Sequence, residues 1–327
     1  MSSSRSPAAR VTAPGFRWPL SEIRHLALVG TTASAKSALA LEVARRLGGV
    51  EIVSVDSMQV YRGMDIGTAK PSHAERAEIP HHLLDLADPS EDFSVARFQV
   101  AARAVLSEIE ARGNRALLVG GTGLYFQAVV DGLRLPGDWP ELKAGLEAEA
   151  AVAAGVGALH ARLAVADPTA AARIEPSNAR RVVRALEVTL GSGQPFSSFG
   201  PGIDAYPSTP FRLAGVWLPR AVVGQRIAER YQTQMRAGFL DEVRRLGAQP
   251  GGLSRTARQA LGYRELLDAV GGERTVDESV DVAVRRTREF ARRQRSWFRR
   301  DPRITWFATS HNPVALLPAL LGDWEAP

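Results

Sequence analysis

The apolar run "HLALV" (residues 25–29) leads straight into "GTTASAKS" (30–37), and the helical stretch "KSALALEVARRLGG" follows. A buried strand, a tight loop and a helix start in that order commit the chain to a parallel α/β sheet. The helix has to cross a sheet face before the next strand can pair. That strand is "VEIVSV" (50–55), which ends at Asp56. Val95, Phe98, Ala102, Val105, Leu106 and Ile109 then fall on one helical stripe closed by Gly113. "RALLV" (115–119) gives a further strand, opening into "GGTGLY".

From Pro136 to about Gly200 the alternation stops and only helical periodicity remains. "FRLAGVWL" (211–218) restores a strand, two long helices broken around "GGLSRTARQALGY" follow, and "RITWF" (303–307) reads as the last strand. The fold class expected is therefore α/β, a P-loop-type parallel sheet flanked by helices, with an all-helical insertion domain. The expected organisation is a disordered tail over 1–22, a core of 23–135 with 205–310, a helical insertion over 136–204, and a C-terminal tail over 311–327.

Composition narrows the function. A net charge of +6 favours an anionic partner. With no cysteine, disulfides and thiolate chemistry are excluded, and zinc would need His and carboxylates alone. No apolar stretch approaches the roughly 20 residues of a membrane helix. The first 20 residues lack acidic groups and an apolar centre; a transit peptide fits them, and a plain disordered tail is the reading taken.

The phosphate-loop pattern G-x-x-x-x-G-K-[ST] is met except at Ala35, which stands where the second glycine belongs. Backbone N–H groups and a helix dipole would surround an anion here, with Lys36 on the terminal phosphates and the Ser37 hydroxyl on Mg²⁺. A left-handed Ala35 would cost roughly 1–2 kcal/mol, about a decade in affinity; a right-handed one would cost little.

The stretch "DSMQVYRGMDIGTAKP" (56–71) resembles the tRNA dimethylallyltransferases. So do "IPHHLLD" (79–85), "LLVGGTGLYFQAVVDGL" (117–133), "RRVVRALEV" (180–188), "ARQALGYREL" (257–266) and "RRQRSWFRRDPR" (292–303). The resemblance runs from about residue 25 to residue 307. It implies transfer of a dimethylallyl group from dimethylallyl diphosphate to the exocyclic amine (N6) of the adenosine just 3′ of the anticodon. The tRNAs concerned read codons starting with U. It also implies that the loop Gly30, Thr31, Thr32, Ala33, Ser34, Ala35, Lys36 and Ser37 holds a prenyl diphosphate. Ala35 and Thr31 depart from the family, which usually has Gly and Pro there, and put loop affinity in question.

An adenine amine is a poor nucleophile, so the reaction needs a base, positioning and a stabilised leaving group. Asp56, at the carboxyl end of a strand beside the phosphate loop, is read as the proton acceptor, with a role behind Mg²⁺ as the alternative. Thr122 in "GGTGLY" would donate to the diphosphate bridge or to the sugar. Arg226 and Arg230, four apart on one helix face, would clamp the diphosphate opposite Lys36. Mg²⁺ is the expected cofactor, held by Ser37, diphosphate oxygens and water. His81 and His82 point opposite ways on an extended chain and are read as structural or substrate-lining.

For tRNA, the resemblance implies contacts from Asp56, Ser57, Met58, Gln59 and Thr122, and from Arg180, Arg181, Val182, Val183 and Arg184 of the insertion. Nine arginines lie between Arg285 and Arg303. Phe290, Arg293 and Trp297 share a face of that helix, which would pack the aromatics on the core and leave many guanidinium groups for anticodon-stem phosphates. The expected partners are thus tRNA through its anticodon stem-loop and dimethylallyl diphosphate, in the cytoplasm, off the membrane, with the protein a monomer. An enzyme acting on free adenine nucleotides, a small-molecule kinase and a non-enzymatic RNA-binding relative are the readings set against it.

Overall fold

The computed structural model describes residues 10–11, 25–200 and 202–325. Apart from Arg10–Val11, the tail expected over 1–22 lies outside the described residues. The chain runs β1 (Arg10–Val11), β2 (His25–Gly30), α1 (Lys36–Leu47), β3 (Val50–Val55), α2 (His73–Glu78), β4 (His81–His82), α3 (Val95–Ala111), β5 (Arg115–Gly120) and α4 (Gly123–Val130). Four helices follow: α5 (Pro140–Ala151), α6 (Gly155–Ala166), α7 (Pro168–Arg173) and α8 (Ala179–Ser192). Then come β6 (Phe211–Trp217), α9 (Arg220–Arg236), α10 (Phe239–Gly247), α11 (Tyr263–Val270), α12 (Val276–Phe298), β7 (Thr305–Ala308) and α13 (Leu317–Glu325).

One sheet takes all seven strands in the order β1-β7-β6-β2-β5-β3-β4. β1 is antiparallel to β7 at one edge, and every other pair is parallel. Both faces of β2 and β3 are covered, which is why these strands read as continuous apolar runs. Leu26, Leu28 and Ile52 pack with Leu39, Leu41 and Val43 of α1. Ala27, Val29, Val53 and Val55 face the opposite layer, with Phe98, Phe126, Phe239, Tyr263 and Phe298.

The last segment differs from expectation. Residues read as a C-terminal tail form a 3-10 turn, Pro313–Leu316, and then α13. Leu316, Leu317, Leu320 and Trp324 are buried in the α1 layer. Their helical spacing gives a short apolar stripe that covers the outside of α1.

The chain divides into two compact units, Met1–Asp131 with Tyr206–Pro327, and Gly132–Ala205. The second is all helical and has its own core of Leu146, Leu159, Leu163, Val182, Val183 and Leu186.

Candidate active site

β2, β5 and β3 are neighbours and parallel, so the loops after them open on one edge of the sheet. Three stretches flagged in the sequence meet there: the phosphate loop after β2, Asp56 after β3, and the Gly-Gly-Thr turn after β5. The register is tight. A Cβ on Gly120 would stand 2.1 Å from the Val55 carbonyl oxygen, so only glycine fits at that crossing.

In the phosphate loop Ala33 (φ 59°) and Ala35 (φ 53°) are both left-handed. Ala35 is the N-cap of α1 and its side chain caps nothing, so the first-turn N–H groups are left to an anion. Lys36 Nζ lies 3.4 Å from the Thr31 carbonyl oxygen, folded back on its own loop. Burial pulls its pKa down to about 8; Asp56 opposes that and Arg230 adds to it. Ser37 is exposed in the first turn of α1. Ser34 is buried, and its Oγ has no hydrogen-bond partner.

Asp56 Oδ1 accepts from the N–H groups of Met58 (2.8 Å) and Gln59 (3.4 Å). Thr122 Oγ1 accepts from the Ser57 N–H at 3.2 Å and reaches Ser57 Oγ at 3.4 Å, so the β3 and β5 loops are joined. Met58 is half-buried against the core. Gln59, expected on the target base, is occupied inside its own loop. It accepts from Ser54 Oγ at 2.7 Å and donates to the carbonyls of Thr68 and Ala69.

The two arginines of α9 diverge. Arg230 donates to Thr32 Oγ1 at 2.8 Å, and burial draws its guanidinium below the usual value. Its Nε is buried without a partner. Arg226, one turn earlier, donates to the His311 carbonyl oxygen at 2.6 Å, so only Arg230 reaches the phosphate loop.

Along α12 and just beyond it, six of the nine arginines face outward as expected, and two are turned in. Arg295 is buried, donates to the Leu218 carbonyl and lies 4.1 Å from the Trp217 ring centroid. Arg303, just beyond the helix, is bound by Asp131 and Asp301 with only 3 % of its side chain exposed. Arg285, Arg288, Arg292, Arg293, Arg299 and Arg300 remain exposed. The helix turns inward at Gln294 and Trp297. Trp297 packs on the core, while Phe290 is only half-buried under Arg293.

Sequence reasoning missed two residues that shape the site. Gln294 accepts from the Thr32 N–H at 2.8 Å and donates to the Gly121 carbonyl at 2.9 Å. Glu242 accepts from the N–H groups of Asp65, Ile66 and Gly67 and from the Tyr263 hydroxyl, anchoring the loop after Asp56. The one hint was a polar residue at a core-facing position of an arginine-rich helix.

Within the helical unit, Arg180 and Arg181 are exposed at the start of α8. Arg184 is turned inward to Glu187, Asp138 and the carbonyls of Pro136 and Gly137. Val182 and Val183, expected on the RNA face, are buried at 0 % and 4 % exposure among the leucines of this unit. On an amphipathic helix these apolar positions face inward while the flanking arginines face water.

His81 is bound to the Ile79 carbonyl and His82 to Glu51. Among the described residues no three His, Asp or Glu side chains gather as a metal cluster. The donors available to a cation are hard oxygens, the Ser37 hydroxyl above all. That suits Mg²⁺, which keeps most of its water and takes phosphate oxygens.

The family model described as IPP transferase matches residues 59–301. A tRNA dimethylallyltransferase of Streptomyces coelicolor is 51% identical over 297 residues, 91% of this chain and 94% of that protein. One from Geobacter metallireducens is 43% identical over 299 residues, 90% of this chain and 96% of that protein. The full-length tRNA isopentenylpyrophosphate transferase of Bacillus halodurans superposes with a TM-score of 0.67 at 38% identity, covering 92% of this chain and 95% of that one. A eukaryotic dimethylallyltransferase captured acting on tRNA gives 0.70 at 25% identity, over 84% and 70% of the two chains.

Proposed function

The chain belongs to the IPP transferase family, and from that premise we infer that it works as a tRNA dimethylallyltransferase, moving a prenyl group from dimethylallyl diphosphate to tRNA. The acceptor is the N6 amine of the adenosine 3′ of the anticodon in tRNAs reading codons that start with U. The observation that carries the reading is the meeting of Asp56, Thr122, Lys36 and Arg230 at the edge formed by β2, β5 and β3.

The step is a displacement. The amine nitrogen bonds to the first prenyl carbon, that carbon's bond to the diphosphate oxygen breaks, and the amine proton passes to Asp56. Two backbone N–H bonds on Oδ1 hold this carboxylate in place. The phosphate-loop N–H groups, Lys36 and Arg230 take the diphosphate and stabilise its growing charge. Thr122, tied to Ser57, positions the acceptor beside the base. Mg²⁺ bound by Ser37 and the diphosphate oxygens would further neutralise the leaving group.

Arg180 and Arg181 offer exposed cations to RNA phosphates, while Arg184, Val182 and Val183 hold the shape of α8. One chain supplies every group named, which favours a monomer, and a tRNA substrate is compatible with the cytoplasm. Among the described residues no helix is long and apolar enough to cross a membrane.

The test is a transfer assay with Mg²⁺, dimethylallyl diphosphate and unmodified tRNA, read by mass spectrometry, with Asp56→Asn beside the unaltered protein. Prenylated adenosine from the unaltered protein alone is expected. Binding of tRNA with no product would leave a non-enzymatic RNA-binding protein.

A further inference from the structure

We propose that Gln294 is a positioning residue that sets the distance between the prenyl-donor loop and the proton acceptor; this rests on the reading of the site as one of prenyl transfer. Its amide spans the two loops. Oε1 accepts from the Thr32 N–H at 2.8 Å, and Nε2 donates to the Gly121 carbonyl at 2.9 Å. From Gly121 the connection continues through the next residue, Thr122, to the Ser57 N–H at 3.2 Å, and Ser57 follows Asp56 directly. Hydrogen bonds and two short steps of backbone thus join the loop that would hold the diphosphate to the segment that carries the Asp56 carboxylate.

The surroundings pack closely on this side chain. Gln294 is 6 % exposed. A Cβ on Gly121 would stand 2.3 Å from its Nε2, and one on Gly123 would stand 2.4 Å from the indole of Trp297, one turn along α12. Two glycines of the turn are therefore needed so that α12 can press its polar and aromatic side chains against the loop backbone. Arg230 holds the same Thr32 through its hydroxyl, so that residue is fixed from both sides. With the Thr32 N–H already bound, a diphosphate would be left to the N–H groups further round the loop.

With both polar atoms bonded to loop backbone, the amide would act on the substrates through the two loops, so its loss should disturb alignment more than binding. A misplacement near 1 Å costs on the order of 100-fold in rate. Gln294→Leu removes both bonds at similar volume, and Gln294→Glu keeps an acceptor for Thr32 but opposes the Gly121 carbonyl with a second oxygen. For both we expect kcat to fall roughly 10- to 100-fold. The Kd for dimethylallyl diphosphate measured without tRNA, and the KM for tRNA, should stay within about threefold.

Each variant's melting temperature is measured alongside. A Leu variant with kcat within about threefold of the unaltered protein would overturn the proposal. So would a parallel loss of kcat, donor affinity and melting temperature, which marks a merely structural residue. If the Leu variant does not fold, the Glu variant decides by the same criteria. Failure of the unaltered protein to transfer would sink the underlying reading instead, so the two failures are distinct.

Discussion

Lys36 Nζ rests 3.4 Å from the carbonyl oxygen of Thr31, five residues back on the same loop. Burial holds its pKa at about 8, below the ordinary 10.5, so a charged Lys36 costs the empty fold stability below pH 8. A bound diphosphate favours the ammonium and raises that pKa. Donor affinity should then be flat below about pH 8 and weaken by up to tenfold per pH unit above it, as the free enzyme loses the proton. Calorimetric titration with dimethylallyl diphosphate from about pH 7 to about pH 10 measures this. Lys36→Arg stays charged throughout and should flatten the curve.

Ala35 is left-handed at φ 53°, ψ 27°, where a Cβ costs roughly 1–2 kcal/mol. Ala35→Gly removes that strain and returns about 0.4–1 kcal/mol through the freer unfolded chain. The net expectation is a gain of about 1 kcal/mol in unfolding free energy, measured by urea titration. Because Ala35 is already left-handed with no ligand bound, the strain falls on folding and not, as expected from the sequence, on a decade of affinity, so donor Kd and kcat should move by less than about threefold. A larger gain in donor affinity would mean that the Ala35 methyl meets the diphosphate.

Parts of this fold were legible because their signals are local. The runs that became β2, β3 and β5 are apolar on both faces, and the loop after each carries its own chemistry. The links that assemble the site are not local. Gln294 meets Thr32 across 262 residues and Arg230 meets it across 198, and no periodicity encodes such a pairing. Arg226 and Arg230 share a helix face by spacing, yet the His311 carbonyl captures one and the phosphate loop the other. Charge counting failed at Arg295 and Arg303 for the same reason: a buried carbonyl or a pair of carboxylates far along the chain claims them. The α13 stripe was missed, its residues being read as a tail, because four apolar positions say little until α1 is there to cover them.

Glu51 is 3 % exposed at the start of β3 and is held by Arg112 through both oxygens, with Asn114 and His82 completing the set. Arg112 above all brings its pKa down to about 2. A depressed carboxylate contributes stability that is complete above the unfolded value near 4.5 and is lost as pH falls toward 2. That contribution is on the order of 2–3 kcal/mol. Glu51→Gln should cost about that much near neutrality, and the two proteins should converge on acidification. Equal stability at neutral pH would mean that the bidentate bond does not persist in solution.

In α8, Arg184 contacts Glu187, whose side chain is fully buried, whereas Arg180 and Arg181 are exposed. Removing Arg184 leaves a buried carboxylate without its cation, which typically costs 3–5 kcal/mol. Arg184→Ala should therefore lower the melting temperature and impair tRNA binding as a consequence. Arg180→Ala with Arg181→Ala should leave melting unchanged while raising the KM for tRNA and not that for the donor. Each lost phosphate contact reduces the slope of log K against log salt by about 0.7–0.9. Melting curves and tRNA titrations at several salt concentrations separate the two effects. An unchanged salt slope in the double variant would move the RNA contact away from the start of α8, toward the arginines still exposed on α12.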